Sequence, residues 1–193
     1  MSALAIVLIA LAAVAVGVGA GLLVARRRPA GRRVDTARRD DRVRQILLPF
    51  TGGTISRRAL QAAVRLARAE NAVIMPAFLV RVPRHLPLDA PLPRQAEEGM
   101  PLLEAIEQRV IADGVPVDSR VARGRSYRDA LKRLLDSEHF DRIIVSTVSD
   151  PRRGLSRSDL EWLLERAPAE IMILRPAPTD ERRISGRELA GHF

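Results

Sequence analysis

The sequence predicts an α/β domain built on a parallel sheet, and three observations predict it. Val43–Asn71 reads as strand, glycine turn and helix, with an apolar run to Phe50, the turn Thr51-Gly52-Gly53-Thr54, and Leu60, Ala63, Val64 and Ala67 at helical spacing. Ala72–Val80 is continuously apolar, as a strand covered on both faces should be. From Val43 to Pro176 five strand patterns then alternate strictly with four helical ones. In open sheets of this kind ligands bind beyond the carboxyl ends of the strands, which is where Thr51–Thr54 falls.

Taken in order, Ser2–Ala25 carries no charge and is followed at once by Arg26-Arg27-Arg28. A helix of that length spans about 36 Å, enough for a bilayer. A cleaved signal peptide, with Val18-Gly19-Ala20 as its site, is opposed by the length of the apolar run and the absence of basic residues before it. The expectation is a single-pass anchor over residues 1–25, with the globular part on the cytoplasmic side of a cell membrane. Gly17 and Gly21 form a GxxxG that would let two such helices approach, though small residues are abundant here. Residues 26–42 read as a basic juxtamembrane linker, with Arg26, Arg27, Arg28, Arg32 and Arg33 as candidate ligands of lipid headgroups.

The net charge of +9 is concentrated in that linker. Arg26–Arg44 holds nine arginines against three aspartates, whereas the stretch from Gln45 to Pro176 is nearly balanced. With one Trp and one Tyr there is little for stacking on bases, so nucleic acid is not an expected partner. The absence of cysteine excludes disulfides and thiolate metal sites. His85, His139 and His192 lack metal-ligand spacing and read as surface or loop residues, so no metal is expected.

Within the domain, Pro76 is awkward for a central strand and predicts a bulge or an interrupted ladder. Arg81–Pro101, with Pro83, Pro87, Pro91, Pro93 and Pro101, predicts a long surface loop. Leu102, Leu103, Ile106 and Val110 mark the next helix, closed by Asp113-Gly114. Val115–Arg123 alternates apolar and polar residues, which predicts an edge strand. Ser126 is a candidate N-cap for a helix burying Tyr127, Leu131, Leu134 and Leu135. Asp141–Val145 is a short buried strand, Ser146–Ser158 a polar loop, Asp159–Ala167 a helix and Ile171–Leu174 the last strand. Residues 177–193 show no core pattern and are expected to be a loosely ordered tail.

Three phrases carry a family resemblance: ILLPFTGGTISRRAL, VARGRSYRDALKRLL with Gly124 in its turn, and FDRIIVSTVSDPRRGLSRSDLEWLLERAPAEIMILRP. Across Val43–Pro176 the chain resembles the universal stress protein family. The resemblance implies a Rossmann-like (adenine nucleotide alpha hydrolase-like) doubly wound sheet of order 3-2-1-4-5, with helices on both faces, and homodimers through the last strand. ATP-binding members of that family have an aspartate after the first strand, where this chain has Thr51. They also have a glycine-x-x-glycine after strand four and a glycine-serine further on. Ser146 and Ser149 stand in the first pair, and Arg157-Ser158 in the second.

A phosphate cradle needs inward backbone N–H groups and close approach, which glycine permits without steric cost. A Cβ at three of these positions weakens such a cradle. Hydroxyls and charge remain nearby, however, so Thr51, Gly52, Gly53, Ser146, Ser149, Arg157 and Ser158 form the candidate nucleotide or anion site. No residue is placed as catalytic, because Asp141 lies at the wrong end of its strand and only Asp150 and Asp159 stand near the loop. The expected function is therefore a membrane-tethered, non-enzymatic regulatory module with a degenerate nucleotide site and no obligatory cofactor, acting through a protein partner. An ATP- or AMP-binding switch, including a weak ATPase, and an accessory subunit of a membrane transporter are the alternatives.

Overall fold

The structure is a computed structural model that describes residues 43–147, 154–175 and 183–190. Five parallel strands form the main sheet: β1 Gln45–Phe50, β3 Val73–Arg81, β4 Arg120–Gly124, β5 Arg142–Ser146 and β6 Glu170–Leu174. Their order is β4-β3-β1-β5-β6, which among these five strands is the expected 3-2-1-4-5. Four helices connect them: α1 Arg57–Glu70, α2 Pro93–Ala112, α3 Tyr127–Ser137 and α4 Arg157–Arg166. Alternation along β1 sends Ile46, Leu48 and Phe50 to one face, against the apolar stripes of α1 and α2. Leu47 turns to the other face, where it meets Leu131 and Leu134 of α3 and Leu163 of α4. The sheet is thus covered on both sides.

Pro76 does interrupt a ladder, and strand parity explains which one. The Ile74 amide donates to Pro116 O at 3.0 Å and Ile74 O accepts from Asp118 N, so residue 76 faces the β4 side as well. Proline has no N–H to continue that ladder. The contact at Ile74–Val117 therefore stays an isolated bridge, and β4 begins only at Arg120. Pairing of β3 with β1 runs unbroken through Leu48 and Pro76. The strand expected over Val115–Arg123 is accordingly shorter, but it lies at the sheet edge as its alternation implied.

The expected loop Arg81–Pro101 is corrected. It ends at Leu92, because Pro93 occupies the start of α2, where no N–H is needed. Pro101 lies inside the same helix on an exposed side, so water can reach the Glu97 carbonyl deprived of its donor. Gly99 is required there, since a Cβ would come 2.1 Å from Cζ of Phe78, whose ring stacks on Phe50 at 5.5 Å. The remaining loop is tied to the end of β4: Arg123 Nη1 donates to Ala90 O at 3.0 Å and Arg125 Nη1 to Leu86 O at 2.8 Å. It folds toward the β4 edge, away from the junction of β1 and β5.

The loosely ordered tail is also corrected. Arg183–Ser185 forms β7, antiparallel to β2 (Thr54–Ser56), and Gly186–Ala190 forms the short helix α5. Ile184 and Leu189 are buried in the core cluster shared with α1 and α2, and that burial holds the segment in place. Gly186 lies so close to α2 that a Cβ would meet Pro101 O at 2.8 Å.

The expected membrane placement is overturned. Among the described residues no helix is long and apolar enough to cross a membrane. Even α2, with 20 residues, carries six charged side chains. Residues 1–25 and 26–42, with Arg26, Arg27, Arg28, Arg32 and Arg33, lie outside the described residues.

Candidate functional site

The switch point lies where β1 and β5 diverge toward β3 and β6. On the β1 side, Phe50 leads into buried Thr51 and then Gly52, whose φ of 67° is the left-handed turn that glycine supplies. Gly53 follows against the backbone of α2, where a Cβ would meet Glu98 O at 2.8 Å. The chain runs through β2 to Ser56, which caps α1 by accepting from Ala59 N at 3.3 Å. On the β5 side the strand ends at Ser146. The chain re-enters the described residues at Gly154, with φ 145°, ahead of Ser156.

Ser156 and Asp159 form a capping box on α4: Ser156 Oγ accepts from Asp159 N at 3.2 Å, and Asp159 Oδ2 accepts from Ser156 N at 3.0 Å. That carboxylate matters electrostatically. It occupies the positive end of α4, where a bound anion would otherwise be favoured, and it also takes Arg128 Nε at 3.1 Å.

Thr51 and Ser146 meet in one cleft, walled by Leu48, Phe50, Thr54, Ile55, Val145 and Leu155. Its volume is about 30 Å³, room for a water molecule or two against the roughly 300–1,000 Å³ of ligand pockets. Gly52 and Gly53 form the turn beside it without lining it. Arg157 points away, 93% exposed and paired with Glu161 at 3.0 Å. Ser158 turns its hydroxyl to Ser156 Oγ at 3.0 Å. Ser149 lies outside the described residues. Of the six expected site residues that are described, two therefore share the cleft walls. Sequence reasoning missed Gly154 as a wall; Ser156 and Ser158 both read as candidate N-caps from the sequence, and the Ser-x-x-Asp spacing to Asp159 is what selects Ser156.

Asp141 is structural: its Oδ2 accepts from Gln45 N at 2.9 Å at the amino end of the sheet, opposite the cleft. Beside it the Arg142 fork takes both oxygens of Glu70, at 2.8 and 3.1 Å, and also pairs with Glu170. The Glu70 hydrogen bonds are the main cause of a guanidinium pKa held above its ordinary value. His85 and His139 are exposed, and no group of three metal-ligating side chains occurs among the described residues.

Three comparisons bear on this geometry. The sequence pattern described as the Universal stress protein family matches residues 42–175. A comparison with curated proteins found no match. A universal stress protein family structure from Burkholderia pseudomallei aligns with a TM-score of 0.52 at 22% identity, covering 67% of this chain and 94% of that one. A universal stress protein in complex with cAMP gives 0.51 at 22% identity, over 69% and 97% of the two chains. The protein from Archaeoglobus fulgidus in complex with dAMP gives 0.53 at 11%, over 68% and 97%. At these identities the likeness is one of fold.

Proposed function

The chain belongs to the universal stress protein family, and from that premise we propose that it is a regulatory binding module with a reduced nucleotide cleft, acting through protein partners and not by catalysis. The observation that carries this reading is the cleft volume of about 30 Å³ at the switch point. An adenine ring alone would not enter it without displacing Ile55, Leu155 or the β2 segment that β7 holds. The chemistry agrees. The cleft is lined by apolar groups and hydroxyls, and among the described residues its walls carry no carboxylate, histidine or cation to serve as a base or phosphate ligand. A second copy of the chain is the partner we propose first, joined through β6, an edge strand with Ile173 39% exposed.

A nucleotide-responsive switch is the second reading, favoured by the cAMP and dAMP complexes of the two structural relatives. Calorimetric titration of the full chain with ATP, AMP and cAMP separates the two. The reduced cleft predicts no saturable heat below about 1 mM ligand. A dissociation constant in the micromolar range would mean that the cleft opens, and the switch reading would replace the first.

A further inference from the structure

A second, larger cavity lies away from the switch point, alongside α1, and its volume is about 380 Å³. This is within the range of small-molecule sites. One stripe of α1 forms its long wall, with Arg57, Leu60, Val64, Arg65 and Arg68 at helical spacing. Arg109 and Asp113 at the end of α2 close one side, and Ile184, Glu188 and Leu189 of the β7–α5 segment close the other. That last wall lies beyond residue 175, where the family match ends, so the cavity depends on a segment outside the shared domain.

Its charge is one-sided. Asp113 is engaged: Oδ1 takes Arg68 Nη2 at 3.1 Å and Oδ2 takes Arg109 Nε at 3.0 Å. Glu188 Oε2 accepts from both the amide and the hydroxyl of Ser185, at 2.8 and 3.0 Å. Arg57 and Arg65 have no carboxylate partner among the described residues, so four guanidinium groups face two carboxylates that are already hydrogen-bonded. Between them the floor is apolar, made of Leu60, Val64, Ile184 and Leu189. Guanidinium forks bind carboxylate, sulfonate and phosphate oxygens in pairs, and an apolar floor takes a chain or ring.

We propose that this groove is a binding site for an amphipathic organic anion, its acidic head held by Arg57 and Arg65 and its apolar body laid along Leu60, Val64 and Leu189. The site is independent of the switch-point cleft, so the calorimetric result with nucleotides does not decide it.

The test is fluorescence titration of the full chain with 8-anilinonaphthalene-1-sulfonate, with decanoate and uncharged decanol as competitors. The expected result is saturable dye binding that decanoate displaces and decanol, at equal concentration, does not. The double variant R57A/R65A should weaken decanoate at least tenfold, with R57K/R65K in between, and far-ultraviolet circular dichroism should be unchanged. Arg65→Ala alone removes only an exposed side chain, and should give a smaller loss in a chain certain to be folded by the same criterion. Absence of saturable dye binding would overturn the proposal. So would equal competition by decanol, or decanoate displacement that the arginine variants leave unchanged.

Discussion

Asp129 shows how one side chain sets a helix start. Its Oδ2 accepts from Arg125 N at 2.8 Å, its Oδ1 from Arg133 Nε at 3.2 Å, and its own amide donates to Ser126 Oγ at 3.1 Å. The backbone bond from Arg125 is the main cause, with Arg133 behind it, of a carboxyl pKa held below its ordinary 3.8. A depressed folded-state pKa means that the native chain binds fewer protons than the unfolded one as pH falls through that range. The stability it contributes is therefore present above the unfolded value and lost as pH drops through the folded value. Asp129→Asn should flatten the fall of melting temperature between about pH 5 and 3, and an unchanged slope would show that the carboxylate does not contribute. At this scale much was legible, because Ser126 and Ser56 cap within three residues of themselves. Gly99 was not, since the ring that excludes its Cβ belongs to Phe78, on another element.

Among elements, Pro76 and the β7–α5 segment mark the two limits of reading a sequence. A proline within an apolar run states its own consequence, a missing donor, and only the side of the strand on which it falls needs the fold. Arg183–Ala190 states nothing comparable. Its two large apolar residues, Ile184 and Leu189, are five apart, a spacing that fits neither a strand face nor a helix stripe. The segment is ordered by what it meets: the free edge of β2 and the apolar faces of α1 and α2. Ile184→Ala should accordingly cost about 2–4 kcal/mol in urea unfolding of the full chain. A loss below about 0.5 kcal/mol is what an unpacked surface residue would give, and would contradict the docking.

For the molecule as a whole, apolar runs and alternation were enough to anticipate a parallel sheet covered on both faces, with Val115–Arg123 at its edge, whereas the strand order came only from the family resemblance. The size of the switch-point cleft was not legible. It depends on Phe50 of β1, Ile55 of β2 and Leu155 ahead of α4 lining one space, a matter of volume that no motif encodes. Each edge of the sheet exposes one large apolar residue, Val121 on β4 and Ile173 on β6, but at the end of β4 the side chains of Arg123 and Arg125 also hold the loop ahead of α2, which leaves β6 the more open edge. Light scattering behind gel filtration should therefore report a dimer for the chain and a monomer for Ile173→Lys. A monomer in both would remove β6 as the self-association edge.

The pairing of Ile55 with Ile184 also fixes an order of events during synthesis. The two partners are about 130 residues apart, and a ribosome adding about 5–20 residues per second separates their appearance by roughly six to twenty-six seconds. All five strands of the main sheet emerge before β7 does. The β1–α1 turn therefore begins its life with Thr54–Ser56 unpaired, and for that interval the nascent domain presents a bare strand edge that the finished protein no longer has.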